Sequence, residues 1–268
     1  MKRVFFPTME ILLLVLSTTA CVAKTETPPA DHLEAIRQKG TLVVGTSPDY
    51  PPFEFLDATG EPVGLDIELI REIVRRMGVE AEIQTMPFDE LIGAVQQGTI
   101  DVAIAAFQYS EERDQNVDFS EAYYEPEDGW VVNADFMGEI TGPEDIRSYK
   151  VGVLAGTVQD AWVTDHWVTP GLLDEANVSC YQRLDQAGES LQSGQIEVLL
   201  TDYVPAQALV KAMDGLKIAY HAPVSAGPVG ILLPDGDQTL QTTLNEILAQ
   251  LRQEGFLDRL VEAYFGGD

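Results

Sequence analysis

Residues 66–107 read DIELIREIVRRMGVEAEIQTMPFDELIGAVQQGTIDVAIAAF, and their periodicity decides the fold class. Ile67, Leu69, Ile70, Ile73, Val74 and Met77 recur at helical spacing, with Asp66 placed as an N-cap and Gly78 as the stop. Residues 79–85 then have strand character, residues 88–97 return to a helical pattern ended by Gly98, and residues 100–107 form an apolar run of strand length. Helices alternating with short apolar strands predict an α/β protein built on mainly parallel sheets.

Working outward, residues 41–46 read as a strand. Phe53-Glu54-Phe55-Leu56 and Val63-Gly64-Leu65 flank Asp57-Ala58-Thr59-Gly60, a hairpin-like turn. The same grammar restarts downstream, with strands at 150–154, 178–182, 196–201 and 216–220. Helices fall at 158–166, capped by Thr157, at 184–192, and at 203–213, where Asp202 is a plausible cap. A last strand at 230–233 precedes helices at 238–251 and 256–264. Breaks rich in Pro, Gly or acidic residues fall near 125–132 and 221–227. Two α/β blocks of roughly 100 residues each predict two lobes.

The N-terminus has another character. Lys2 and Arg3 precede a short apolar run at 11–16 and then Leu16-Ser17-Thr18-Thr19-Ala20-Cys21. This pattern predicts a signal peptide of lipoprotein type over residues 1–20, cut before Cys21 and acylated there. Residues 21–31 form a polar, Pro-containing flexible tether. The apolar run is far below the roughly 18 residues that span a bilayer, which argues against a transmembrane anchor. Ordinary secretion with Cys21 unmodified is the alternative.

Composition narrows the function classes. The chain carries 44 acidic against 16 basic residues, a net charge of −28. Such a charge argues against nucleic acid and anionic lipid head groups as partners. Cys21 and Cys180 are the two cysteines, too few for a disulfide framework or a metal–thiolate cluster. His32, His166 and His221 lack metal spacing and read as surface residues. No metal and no cofactor is expected.

The residues that carry chemistry follow the strand at 100–107. Ser110-Glu111-Glu112-Arg113, then Val117-Asp118-Phe119-Ser120 and Tyr123-Tyr124, set one arginine at the mouth of an α/β sheet. A planar guanidinium there can hold a carboxylate through two parallel hydrogen bonds. A surface arginine paired with Glu111, Glu112 or Asp114 is the competing reading.

This run resembles the T-x-x-R…FS-x-x-Y-Y signature of extracellular solute-binding proteins, family 3, the polar amino acid type, with Ser110 where the family usually has Thr. Gly45-Thr46…Tyr50-Pro51-Pro52-Phe53, Gly64-Leu65-Asp66-Ile67-Glu68-Leu69, Gly98-Thr99-Ile100-Asp101, Val151-Gly152-Val153…Gly156-Thr157 and Ser193-Gly194-Gln195-Ile196-Glu197…Thr201-Asp202 are similar to further motifs of that family, in order. The resemblance covers about Leu42 to Tyr264. It implies a type II periplasmic-binding-protein-like fold with two hinge crossings: lobe 1 from residues 32–127 and 223–268, lobe 2 from 128–222.

The resemblance also implies a ligand site. Arg113 would clamp an α-carboxylate and Asp202 accept hydrogen bonds from an α-ammonium. Tyr50 and Phe88 would sandwich the ligand side chain, although core packing is the plainer reading of Phe88. Phe107 reads as core. Thr157 and Val158 would offer backbone N–H groups at a helix start. Ala106 and Gln108 stand where relatives often have Gly or Ser, and Ser or Thr; Gln108 can still donate, with a longer reach. Asp49 and Glu54 flank Tyr50 and would suit a cationic side chain, though loop carboxylates are common in so acidic a chain.

The function implied is ligand capture for an ABC importer of an amino acid or similar zwitterion, by hinge closure. The protein would not be an enzyme. It would be a monomer at the cell envelope, in the periplasm or on the outer face of the membrane, held by lipid at Cys21 and partnered by permease subunits. One rival is a cleft enzyme resembling cyclohexadienyl dehydratases, with Glu197 or Asp202 as acid. The other is a sensing module acting through a partner.

Overall fold

A computed structural model describes residues 31–266. The signal peptide, Cys21 and nearly all of the tether lie outside the described residues. The first elements are α1 (His32–Lys39), β1 (Thr41–Thr46), β2 (Asp49–Tyr50), β3 (Glu54–Leu56), β4 (Pro62–Val63) and α2 (Leu65–Met77). Next come β5 (Glu80–Thr85), α3 (Phe88–Gln96), β6 (Val102–Ala103), α4 (Glu111–Asp114) and β7 (Asp118–Phe119). The middle of the chain forms β8 (Asp128–Asn133), β9 (Val151–Leu154), α5 (Val158–Val163), β10 (Val178–Tyr181), α6 (Leu184–Gln192), β11 (Val198–Asp202), α7 (Tyr203–Ala212) and β12 (Leu216–Ala222). It closes with β13 (Leu232–Leu233), α8 (Gln238–Gln253) and α9 (Phe256–Phe265).

The strands build two five-stranded sheets, β5-β1-β6-β13-β7 and β10-β9-β11-β8-β12, beside a small β2-β3-β4 sheet. The fold is thus α/β and two-lobed. Each large sheet is parallel at one end and antiparallel at the other. The antiparallel part has a cause in the connectivity. β8 and β13 are the strands the chain enters after passing from one sheet to the other, and both run against their neighbours.

Those two passages lie side by side. Tyr123 N–H donates to the Val229 carbonyl at 2.8 Å and Val229 N–H to the Tyr124 carbonyl at 2.9 Å. Asp128, fully buried, accepts from the backbone N–H groups of Val224, Ser225 and Ala226 at 3.0, 2.7 and 3.1 Å and from Ser225 Oγ at 2.8 Å. One carboxylate at the start of β8 therefore fixes the second crossing.

Helix α2 buries the predicted stripe, with Ile67, Leu69, Ile70 and Ile73 at zero exposure. Each such burial stabilises by about 1.5–3 kcal/mol relative to an exposed side chain. Leu69, Ile70 and Ile73 share one core with Val44 and Val102 and with Leu244, Leu248 and Leu251 of α8, so the C-terminal helices pack on the first sheet. Gly64 enters α2 at φ 125°, where a Cβ would overlap the Phe53 carbonyl oxygen, so only glycine suits this turn.

Several local expectations change. Asp66 is not a cap: Gly64 holds that position, and the fully buried Asp66 carboxylate accepts from Ala106 N–H at 2.7 Å and Tyr123 Oη at 2.8 Å. The run at 100–107 forms strand only over Val102–Ala103, and beyond it Ala106 turns to φ 47°. The helix expected over 158–166 is α-helical to Val163 and then widens into a π turn, Thr164–Val168. His32 is not a plain surface residue. It bridges Asp101 at 2.9 Å and Asp237 at 2.6 Å, which raises its pKa to about 9 through the Asp101 hydrogen bond, against the cost of burial. Among the described residues no helix is long and apolar enough to cross a membrane.

Candidate ligand-binding site

The two sheets meet over a cavity lined by Asp49, Tyr50, Glu54, Phe88, Ala105 and Ala106. Gln108, Arg113, Leu154, Ala155, Thr157, Val158, Gln159, Gln182 and Asp202 complete its wall. All nine ligand-site residues expected from the sequence line this one space.

Arg113 sits in the single turn of α4, whose N-cap Ser110 accepts from Arg113 N–H at 3.2 Å. The hydroxyl alone performs this task, so serine in place of threonine leaves the turn intact. The guanidinium is 8% exposed and donates from Nη1 to the Gln108 carbonyl and from Nη2 to the Gly156 carbonyl, both at 2.7 Å. It lies 5.6 Å from the Phe88 ring centre and 5.4 Å from that of Phe107. Among the described residues no carboxylate comes within ion-pair distance of Arg113, so pairing with Glu111, Glu112 or Asp114 is not what holds it. Burial lowers its pKa to about 10, against the attraction of Asp202, and it stays a cation at neutral pH.

Asp202 ends β11 at the start of α7, but its side chain makes no capping hydrogen bond. It turns into the cavity instead. Oδ1 accepts from Gln108 Nε2 at 2.7 Å and Gln159 Nε2 at 2.8 Å, and Oδ2 accepts from Tyr50 Oη at 2.9 Å. A carboxylate has room for a further donor beyond these three. Burial, followed by repulsion from Asp128, outweighs the Tyr50 and glutamine hydrogen bonds and pushes its pKa up to about 7.

The other expected residues divide by what they touch. Tyr50 packs against cores of both lobes and joins them through Thr201 Oγ1 at 2.7 Å as well as Asp202. Phe88 stacks on Phe107 at 4.5 Å between ring centres, and Phe107 is core, fully buried. Ala106 presents its left-handed backbone, pinned by Asp66. Thr157 spends its hydroxyl locally, donating to the Leu154 carbonyl at 2.7 Å and accepting from Asp160 N–H at 3.2 Å. Val158 follows as the first residue of α5. Asp49 accepts from Ser47 Oγ at 3.1 Å and stands 3.9 Å from Arg183; burial raises its pKa. Gln108 is 4% exposed and ties Asp202 to Gly227 N–H, so its reach goes to the protein's own carboxylate.

Sequence reasoning missed Gln159. It is 2% exposed and donates from Nε2 to both Asp128, at 2.9 Å, and Asp202. It therefore joins the carboxylate that fixes the crossing to the one that faces the cavity. Glu54, suspected only for its charge, is 1% exposed. Glu197, the other candidate acid, is exposed, accepts from Lys150 N–H and does not line the cavity.

Residues 42–267 match the model of the bacterial extracellular solute-binding proteins, family 3. The L-cystine-binding protein TcyJ of Escherichia coli K12 is 28% identical over 236 residues, 88% of this chain and 86% of that protein. The histidine-binding periplasmic protein of the same strain is 29% identical over 264 residues, 95% of this chain and 97% of that protein. Among solved structures, an ancestral arginine-binding protein bound to glutamine superposes with a TM-score of 0.76 at 35% identity, over 85% of this chain and 99% of the other.

Proposed function

The chain belongs to the bacterial extracellular solute-binding proteins, family 3, and on that premise we propose that it captures an amino acid or similar zwitterion between its lobes for an ABC importer. One observation carries the reading. A buried guanidinium without a carboxylate partner, Arg113, lines the same cavity as a buried carboxylate, Asp202. Burying an unpaired charge is costly in a fold that gains nothing from it, and a ligand carboxylate supplies the missing partner. The relatives above, named for cystine, histidine and arginine, are consistent with this class of ligand.

Lobe 1 comprises residues 32–127 and 223–268, and lobe 2 residues 128–222. Tyr50 and Gln108 reach from the first to Asp202 in the second, and Arg113 reaches the Gly156 carbonyl. A ligand enters when these contacts part. It then favours closure by the amount that it binds the closed form better than the open one. Permease subunits recognise the closed monomer. The protein is held at the envelope by lipid on Cys21, which mass spectrometry of the membrane fraction checks.

The protein binds without turnover. Asp202, the one candidate acid that lines the cavity, is already engaged by three protein donors. Incubation with prephenate or arogenate tests this, and product formation would overturn it. A thermal-shift screen of the purified protein against the twenty amino acids tests the binding reading itself.

A further inference from the structure

The carboxyl groups that line the cavity outnumber those a plain zwitterion would engage. Asp49, Glu54 and Asp202 face Arg113. An α-carboxylate and an α-ammonium would occupy Arg113 and Asp202, which leaves Asp49 and Glu54.

Glu54 begins β3, 1% exposed, and its Oε2 has no hydrogen-bond partner. Among the described residues no Lys, Arg or His side chain comes within 4 Å of it. What stands beside it is another carboxyl, Asp66, which accepts from Ala106 N–H and Tyr123 Oη and lies within hydrogen-bond reach of Glu54. Asp49 is barely compensated, since Arg183 makes its close contacts with Asp185, at 2.8 and 3.1 Å, and stays 3.9 Å from Asp49. A buried carboxyl with a bare oxygen in a ligand cavity is an acceptor without its donor.

We propose that Glu54, assisted by Asp49, is the subsite for a positively charged side chain, so that the ligand is an α-amino acid ending in an ammonium or guanidinium group. This rests on the zwitterion reading and narrows it. Phe88, half-buried and stacked on Phe107, offers an apolar wall for the alkyl stem.

The proposal has a proton linkage. The groups facing Glu54 are Asp66 on α2, Tyr123, Asp49 on β2, Asp202 at the end of β11, and Arg113 across the cavity. Burial first, and the Asp66 charge second, hold the Glu54 carboxyl well above the usual carboxylate range. That shift favours the protonated form while no cation is bound, with the proton between Glu54 and Asp66. A bound ammonium or guanidinium lets it ionise, and the proton passes to the buffer.

Calorimetry with L-arginine, L-lysine and L-glutamine, in two buffers of different ionisation enthalpy at about pH 7.5, tests this. For the wild-type protein a cationic ligand is expected to bind at least about tenfold tighter than glutamine, as one added charged hydrogen bond implies. Its enthalpy should depend on the buffer in the sense of proton release. In Glu54→Gln the ratio of cation to glutamine affinity should fall by about tenfold or more, and the buffer dependence of cation binding should shrink to that of glutamine, which the ionisation of Asp202 alone sets. Glutamine binding as tightly as both cations, or an unchanged ratio in Glu54→Gln, overturns the proposal. If that variant does not fold, a larger proton release with the cations than with glutamine in the wild type decides, together with the ratio in Asp49→Asn. A different amino acid bound in place of all three overturns this proposal alone; no amino acid bound at all overturns the zwitterion reading beneath it.

Discussion

Arg113→Ala separates binding from folding. In the protein without ligand, the side chain gives two 2.7 Å hydrogen bonds to neutral carbonyls, those of Gln108 and Gly156, and no ion pair. Its removal loses those bonds but also relieves a cation that is only 8% exposed. The two effects oppose each other, so unfolding free energy should move by no more than about 1 kcal/mol. A bound α-carboxylate is different, because it would take two charge-assisted bonds at about 1.5–3 kcal/mol each. Losing both weakens binding by about 3–6 kcal/mol, roughly 10²–10⁴-fold in Kd. Urea unfolding of the unliganded variant and calorimetry with the best ligand of the screen measure the two quantities on one sample. Affinity within about threefold of wild type, with folding intact, would refute the carboxylate clamp.

Three further outcomes follow from the same geometry. Gln159→Leu removes donors from two buried carboxylates, Asp128 and Asp202, and should lower urea-unfolding stability by about 1–3 kcal/mol; unchanged stability would contradict the link. The Asp202 pKa is raised to about 7, so its effect on folding is complete only below the ordinary carboxylate range and is lost as pH rises through about 7. Ligand affinity runs the opposite way, rising over that interval as the ammonium acceptor ionises, and a titration of Kd against pH with Asp202→Asn as the flat control checks this. The His32 pKa, raised to about 9, contributes stability that is full below the unfolded value near 6.5 and disappears as pH rises through about 9. Tm should therefore fall more steeply between neutral and alkaline pH in wild type than in His32→Gln.

Local rules reached far into this fold. The apolar stripe of α2, its glycine stop at Gly78 (φ 76°) and the bounds of α6 follow from neighbours in the chain, as does the Thr157 cap. Asp66 shows where such rules end. A helix-start aspartate reads as a cap, yet its partners are Ala106 and Tyr123, 40 and 57 residues away. The same contact holds Ala106 in its left-handed conformation, beyond the two strand residues of the run at 100–107. In the site, Arg113 stands out because its turn, cap and preceding strand are contiguous. Gln159 and Glu54 do not, since an amide or carboxyl in sequence says nothing of burial, and their partners come from other elements. Gln108 is an intermediate case: its residue type is visible as unusual, but its contact with Asp202 spans 94 residues.

Zwitterion capture by Arg113 and Asp202 is tested most directly with blocked ligands. Calorimetry compares the best amino acid of the screen with its α-amide and its Nα-acetyl derivative. The free amino acid should bind with one-to-one stoichiometry. Each blocked form should lose about a hundredfold or more, since each leaves one buried charge unmatched. Equal affinity for either blocked form would contradict the clamp.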